Sequence, residues 1–370
     1  MSRIIFINQD SGYLMIDIIN AYVEAGHQCV LLTGRLVQRN TALDPTVKIE
    51  SIIRYNRTTT LKRFTTWIVG FLQILFKVMI KYRRGRLFIV SNPPLSVFLP
   101  RIVKNPFQLL IFDIYPDVLT ELGYLSDKSF IIRQWIKSNK KVFPRAESIF
   151  TITESMKKVL RNYTSEVKVV PLWTSEGFFK PIDQPENAFV QKHGLMGKFI
   201  VLYSGNIGLA GDVEVLIDVA AKIQDDDIVF LIIGEGASKQ SIVNKADKLK
   251  LKNVRFLPWQ PVEELPFSLA SASVAVISLG VKTSKLAIPS KLYNFLSVGV
   301  PLLCLASKDS EVAGLVEKYQ CGESFEPNEI NRIINFVYNL KMNRELYNSM
   351  KKNSFDASKD FNIVNVKKFL

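Results

Sequence analysis

Apolar runs of strand length alternate with stretches whose apolar residues recur at helical spacing. Residues 3–9 read as a buried strand, 14–25 as a helix closed by Gly26, and Cys29-Val30-Leu31-Leu32 as a second strand. A strand–helix–strand unit this short predicts a parallel sheet. Further strands fall at 87–90, ending in Ser91-Asn92-Pro93-Pro94, and at 109–112, ending at Asp113. Residues 148–152 lead into a helix over 154–162, and 167–170 form a strand. Residues 174–187, with Pro181 and Pro185, read as a linker. The alternation then restarts. Strands at 199–203, 228–233, 254–257 and 275–279 are followed by Ser204-Gly205-Asn206-Ile207-Gly208, by Gly234-Glu235-Gly236 and by Pro258-Trp259-Gln260-Pro261. The expected organisation is α/β, with two doubly wound, Rossmann-like domains over 1–175 and 188–350, facing a cleft. A C-terminal helix over 351–370 is expected to pack back on the first domain. Ligands in such sheets lie beyond the carboxyl ends of the strands, where Asp113 also falls.

The run from Ile288 to Pro301 is the most informative. Pro289 stiffens the approach to a helix, Ser290 is a good N-cap residue, Gly299 fits the C′ position and Pro301 blocks continuation. Lys291 in the first turn adds a cation to free backbone N–H groups, which suits a phosphate-bearing ligand. The same residues also describe an ordinary capped helix before a strand.

Charge sharpens the picture of the first half. The net charge is +14, most of it in residues 1–190, and no acidic residue occurs between Glu50 and Asp113. That interval holds the run from Trp67 through Phe71 to Ile80, flanked by Lys62, Arg63, Arg83, Arg84 and Arg86. Its uncharged part is short of the roughly 18 apolar residues a spanning helix needs. Either it is a core helix with solvated ends, or it meets an anionic membrane surface through Trp67, Phe71, Arg83, Arg84 and Arg86. The aliphatic interleaving disfavours nucleic acid as the partner. Cys29, Cys304 and Cys321 have no metal-ligand or disulfide spacing. With a start that runs directly into a strand, they predict a reduced cytoplasmic protein without a signal peptide. His27 and His193 have no triad partners in sequence, so Ser-His-Asp chemistry is not expected.

Taken in order, these pieces resemble glycosyltransferase family 4, in its bacterial fucosamine transferase-like subgroup. The matching residues are Gly26-His27, Asp113 to Pro116, Val169 to Trp173, Gly205 to Gly208, Asn253 to Pro261 and Pro289 to Pro301. The resemblance implies the GT-B architecture and a retaining transfer of a hexose-type sugar from a nucleotide-sugar donor. No protein nucleophile, metal or other cofactor is implied, the leaving diphosphate itself taking the acceptor's proton. Donor-site residues would be Gly12, Gly205, Asn206, Gly234, Pro258, Trp259, Gln260, Lys285, Ser290, Lys291 and Asn294. Trp259 would either stack on the base or pack. Asp113 would either assist the attacking hydroxyl as the catalytic carboxylate or act as a cap. The chain departs from the family's paired glutamates, carrying Leu286 and Asn294 there, and has Asn206 and Gly211 where an Arg and a Lys usually stand. Lys285 and Lys291 then carry the diphosphate charge. The basic first domain points to a polyprenyl-diphosphate-linked saccharide acceptor at the inner face of the membrane, in surface polysaccharide assembly such as lipopolysaccharide or capsule. A nucleotide-sugar 2-epimerase on the same fold, or a non-catalytic basic binding protein, are the rival readings.

Overall fold

The computed structural model describes residues 3–56, 58–121, 123–175, 177–208, 212–280 and 288–370. Lys285 and Leu286, and Gly211 after the first glycine turn, lie outside the described residues. The chain forms two units, Met1–Ser175 with Ile363–Leu370, and Glu176–Asn362.

Unit 1 is built on seven strands: β1 (Arg3–Ile7), β2 (Gln28–Thr33), β3 (Lys48–Ser51), β4 (Arg86–Val90), β5 (Phe107–Ile111), β6 (Ser148–Thr151) and β7 (Lys168–Val169). All pair in parallel, in the order β3-β2-β1-β4-β5-β6-β7. Central β1 and β4 are buried on both faces, which is why Ile4-Ile5-Phe6-Ile7 and Leu87-Phe88-Ile89-Val90 read as unbroken apolar runs. Helix α1 (Tyr13–Glu24) covers one core through Ile16 and Ile19, with Trp173 and Phe369 in the same cluster. The Trp173 indole donates to Asp17 at 2.7 Å, and the Tyr13 hydroxyl donates to the Trp173 carbonyl at 2.8 Å.

The C-terminus corrects one boundary. Helix α4 (Arg344–Ser358; α3 is given below) stays in unit 2, where the Ser354 hydroxyl donates to the Val300 carbonyl at 2.8 Å. Only the 3-10 turn Ile363–Phe369 joins unit 1. There the Tyr22 hydroxyl donates to the Phe369 carbonyl at 2.6 Å, and the Phe369 ring meets Phe88, Phe150 and Trp173. The part that packs back on the first unit is therefore Ile363–Leu370, through Ile363, Val366 and Phe369, and not a helix over 351–370.

Helix α2 (Thr60–Lys81) holds 22 residues and, by length and composition alone, is long and apolar enough to cross a membrane. It exceeds the uncharged run because Thr59 caps it, its hydroxyl accepting from the Lys62 N–H, and the first turns carry Lys62 and Arg63. One face, Thr66, Trp67, Gly70, Ile74 and Val78, is buried. Trp67 is therefore no lipid contact. It sits in an aromatic cluster with Tyr55, Phe64 and Tyr115, and Phe71 is half-buried.

Unit 2 repeats the plan with β8 (Phe199–Ser204), β9 (Ile228–Ile233), β10 (Val254–Leu257), β11 (Val274–Ser278), β12 (Leu302–Leu305) and β13 (Gly322–Phe325). The order is β10-β9-β8-β11-β12-β13, again parallel. Val201, Phe230, Val276, Leu303 and Phe325 form its core with the helix Val215–Lys222.

Candidate active site

The carboxyl ends of β8, β9 and β10 stand side by side and hold one another through backbone. The Gly205 N–H donates to Ile233 O at 2.9 Å, Ile207 N–H to Glu235 O at 2.9 Å, and Gly234 N–H to Leu257 O at 3.0 Å. Gly234 has φ +146, and a Cβ there would lie 1.9 Å from the Gly205 carbonyl oxygen. No other residue fits, because both the dihedral and the approach require glycine. The turn after β8 is pinned by Tyr203, whose hydroxyl donates to Asn206 O at 2.7 Å.

Helix α3 (Lys291–Ser297) delivers a lysine to this turn. The Lys291 ammonium lies 3.8 Å from the centre of the Tyr203 ring and 2.9 Å from where a Gly205 Cβ would be. Gly205 thus opens the space that Lys291 fills. The lysine is half-buried, and burial pushes its pKa down to about 7. No carboxylate pairs with it among the described residues, so its charge is compensated only by the ring face. An anion arriving here restores the charge and gains a partner.

The rest of α3 differs from its sequence reading. Ser290 is exposed and already helical, with φ −58 and ψ −25, and its hydroxyl makes no cap bond. Pro289 O instead accepts from Leu292 N–H at 3.0 Å. Every residue from Leu292 to Ser297 is buried, Asn294 included at 8 % exposure, because α4 packs on this helix. Gly299 closes it with φ +67. On the loop after β10, Trp259 is 51 % exposed, so it is not a packing residue. The Gln260 side chain donates back to Pro258 O at 2.8 Å and stiffens this loop.

Gly205, Asn206, Gly234, Pro258 and Lys291 are therefore brought to one edge of the second sheet. Gly12 belongs to unit 1. It precedes α1, with nothing within 4 Å of a built Cβ. Asp113 is likewise in unit 1. It is exposed beyond β5, and the Ser91 hydroxyl oxygen accepts from the N–H groups of Phe112 and Asp113 at 3.0 and 3.2 Å. The next helix starts at Asp117. Asp117 accepts from the Tyr163 hydroxyl at 2.5 Å, and burial raises its pKa.

Two participants escaped sequence reasoning. Tyr203 looked like one more strand residue; its position just before the glycine turn was the only signal. Asp212 has its N–H bonded to the Ser278 hydroxyl at 2.9 Å, its Oδ2 buried without a partner among the described residues, and its pKa raised by burial. Among the described residues no three His, Cys, Asp or Glu side chains gather as a metal site would require.

Residues 185–356 match the family model described as glycosyl transferases group 1. The match falls within the second unit, Glu176–Asn362. A Pseudomonas aeruginosa protein named as a glycosyltransferase, WbjE, is 22 % identical over 300 residues, covering 78 % of this chain and 75 % of the relative. An Escherichia coli K12 protein named as a colanic acid biosynthesis glycosyl transferase, WcaI, is 29 % identical over 178 residues, covering 47 % and 44 %. Among solved structures, sucrose-phosphate synthase of Thermosynechococcus elongatus superposes with TM-score 0.77 at 16 % identity, covering 100 % of this chain and 97 % of that one. The Anabaena protein Alr3699/HepE, solved in complex with UDP and glucose, gives 0.73 at 14 % identity, covering 100 % and 98 %. The fold is GT-B.

Proposed function

We propose that the protein transfers a hexose-type sugar from a nucleoside-diphosphate sugar to a polyprenyl-diphosphate-linked saccharide, with retention, in bacterial surface polysaccharide synthesis. The observation that carries this reading is Lys291, a half-buried cation without a carboxylate partner among the described residues, lodged against Gly205 and Tyr203 at the strand ends. A diphosphate is the ligand that such a group lacks. Trp259 stacks on the base and Asn294 bonds the ribose; the subgroup resemblance supports both roles. The relatives' names support the class of pathway.

In this reading the acceptor hydroxyl attacks on the face the diphosphate leaves. The breaking bond gives its electron pair to the diphosphate oxygen, and that oxygen accepts the hydroxyl proton. Lys291 stabilises the growing charge on the diphosphate. Asp113, in unit 1, orients the acceptor hydroxyl. The reaction uses neither a protein nucleophile nor a metal, and the enzyme works peripherally at the inner membrane face.

The test is nucleoside diphosphate release from UDP-, GDP- and dTDP-sugars, with and without a bacterial polyprenyl-lipid extract. Release from one donor only when the lipid is present, insensitive to EDTA, is the expected result. Conversion of a donor without any acceptor would favour the epimerase. No turnover together with no donor binding would overturn the assignment.

A further inference from the structure

The outward face of α2 is largely apolar, interrupted by Thr65. Leu61 is 74 % exposed, Ile68 50 %, Leu72 55 %, Phe76 66 %, Met79 49 % and Ile80 60 %. Their spacing places them on one side of the helix, opposite the packed Trp67, Gly70, Ile74 and Val78. A soluble surface rarely leaves such a patch without a partner.

The packed face holds the helix in place. The Gln9 amide donates to Thr66 O at 2.8 Å, and Glu50 on β3 accepts from Lys77 at 2.8 Å and Lys81 at 3.3 Å. The helix is therefore fixed along the flank of the unit and presents one side only.

At its C-terminal end the stripe runs into positive charge. A cavity of about 440 Å³ opens at the amino ends of the strands, lined by Arg3, Gln28, Lys81, Tyr82, Arg84 and Arg86 and, among the described residues, by no carboxylate. Arg84 and neighbouring Arg83 are exposed and have no ion-pair partner among the described residues. Arg86 is different from its sequence reading: Glu147 pairs with it at 3.0 Å, so its charge is partly spent. A second hollow, lined by Gln73, Phe76, Lys77, Ile80 and Lys81, shares Lys81 with the basic cavity and Phe76 and Ile80 with the stripe. Apolar track and cationic cavity are thus continuous.

We propose that this face is a lipid-docking surface: α2 lies in the headgroup boundary of an anionic bilayer, and the cavity around Arg3 and Arg84 seats a phospholipid phosphate. The apolar track takes acyl chain and the cavity takes charge, which neither a free phosphate nor a nucleic acid would use together. The inference deepens the lipid-borne acceptor reading and rests on it for its purpose. Its site is at the opposite end of the first sheet's strands from Asp113.

Flotation of the full chain with vesicles of phosphatidylcholine, alone and with phosphatidylglycerol added, tests it. Leu72→Glu with Phe76→Glu should abolish binding to both vesicle types while donor affinity in solution and the melting transition stay unchanged. Should that pair unfold the protein, Leu72→Ser with Phe76→Ser should still weaken binding about tenfold. Arg3→Gln with Arg84→Gln should remove the preference for phosphatidylglycerol by roughly fivefold per charge. Unchanged flotation in the folded variants overturns the proposal. So does stabilisation by inorganic phosphate that Arg84→Gln removes while flotation persists, since the cavity would then be a free-phosphate site. If flotation behaves as expected but no donor is turned over, docking stands and the transferase reading falls.

Discussion

Glu50 and Lys291 are both charged groups withdrawn from water, and they are treated in opposite ways. Glu50 in unit 1 is 8 % exposed and surrounded by Lys48, Lys77, Lys81 and the Tyr82 hydroxyl. Its hydrogen bond with Lys77 leads in holding the pKa down to about 2, against the opposing effect of burial. Lys291 in unit 2 has an aromatic ring and, among the described residues, no carboxylate, and burial lowers its pKa to about 7. A charge that the fold has satisfied stabilises the fold, here by fixing α2 to the sheet edge. A charge that the fold leaves unsatisfied destabilises the free protein and is offset when a ligand of opposite sign binds.

The sharpest way to break this contrast is Lys291→Met. Nucleoside diphosphate affinity should drop at least about 100-fold, near 3 kcal/mol, the cost of deleting a charged partner from a diphosphate. The free protein should become more stable at pH 7, by roughly 1–3 kcal/mol. The Lys291 pKa lies below its ordinary 10.5 in the folded chain, so the penalty is complete below pH 7 and is relieved as pH rises toward 10.5. The variant's gain should therefore shrink over that window; calorimetric titration and melting curves across pH check both effects. A loss of stability on substitution would mean that Lys291 is structural.

Glu50→Gln should do the reverse. It removes a satisfied buried anion and strands its cations, for about 2 kcal/mol of destabilisation, with donor affinity unchanged. Because the Glu50 pKa lies below its ordinary 4.5, its contribution is present above pH 4.5 and is lost as pH falls toward 2. Wild type and variant should converge in acid denaturation, and divergence there would sink the assignment.

Two smaller effects refine the comparison. Gly205→Ala puts a methyl 2.9 Å from the Lys291 ammonium, which must move; donor affinity should fall about tenfold, or 1.4 kcal/mol, with little change in melting. In the wild type, donor binding above pH 7 must recharge Lys291. Affinity should be flat below pH 7 and decline by up to tenfold per unit above it, with proton uptake visible as a dependence of binding heat on the buffer. A profile flat through pH 9 would show the lysine charged throughout.

The alternation of apolar runs and helical spacing was enough to read the two parallel sheets, since period and length are local signals. The strand at 228–233 was read to the residue as β9, and Gly299 was read as the C′ glycine it is. Lys291, Gly205 and Gly234 were legible as candidates because glycines and cations at strand ends carry meaning without a partner. The pairing of Lys291 with Tyr203 was not legible, for those residues are 88 positions apart and meet only through the β8–β11–β12 order. Nor was the burial of α3 on every side, which depends on α4 arriving from the C-terminus.

The two helices draw the line between the levels. Composition identified residues 67–80 as apolar with basic ends, and helical spacing identified 292–296 as helix-forming. Tertiary structure decided that Trp67 turns inward while Phe76 faces out, and that Asn294 is enclosed. Chain-local periodicity tells which residues can leave water; which of them do is settled by the element packed on each face, and that element is distant in sequence.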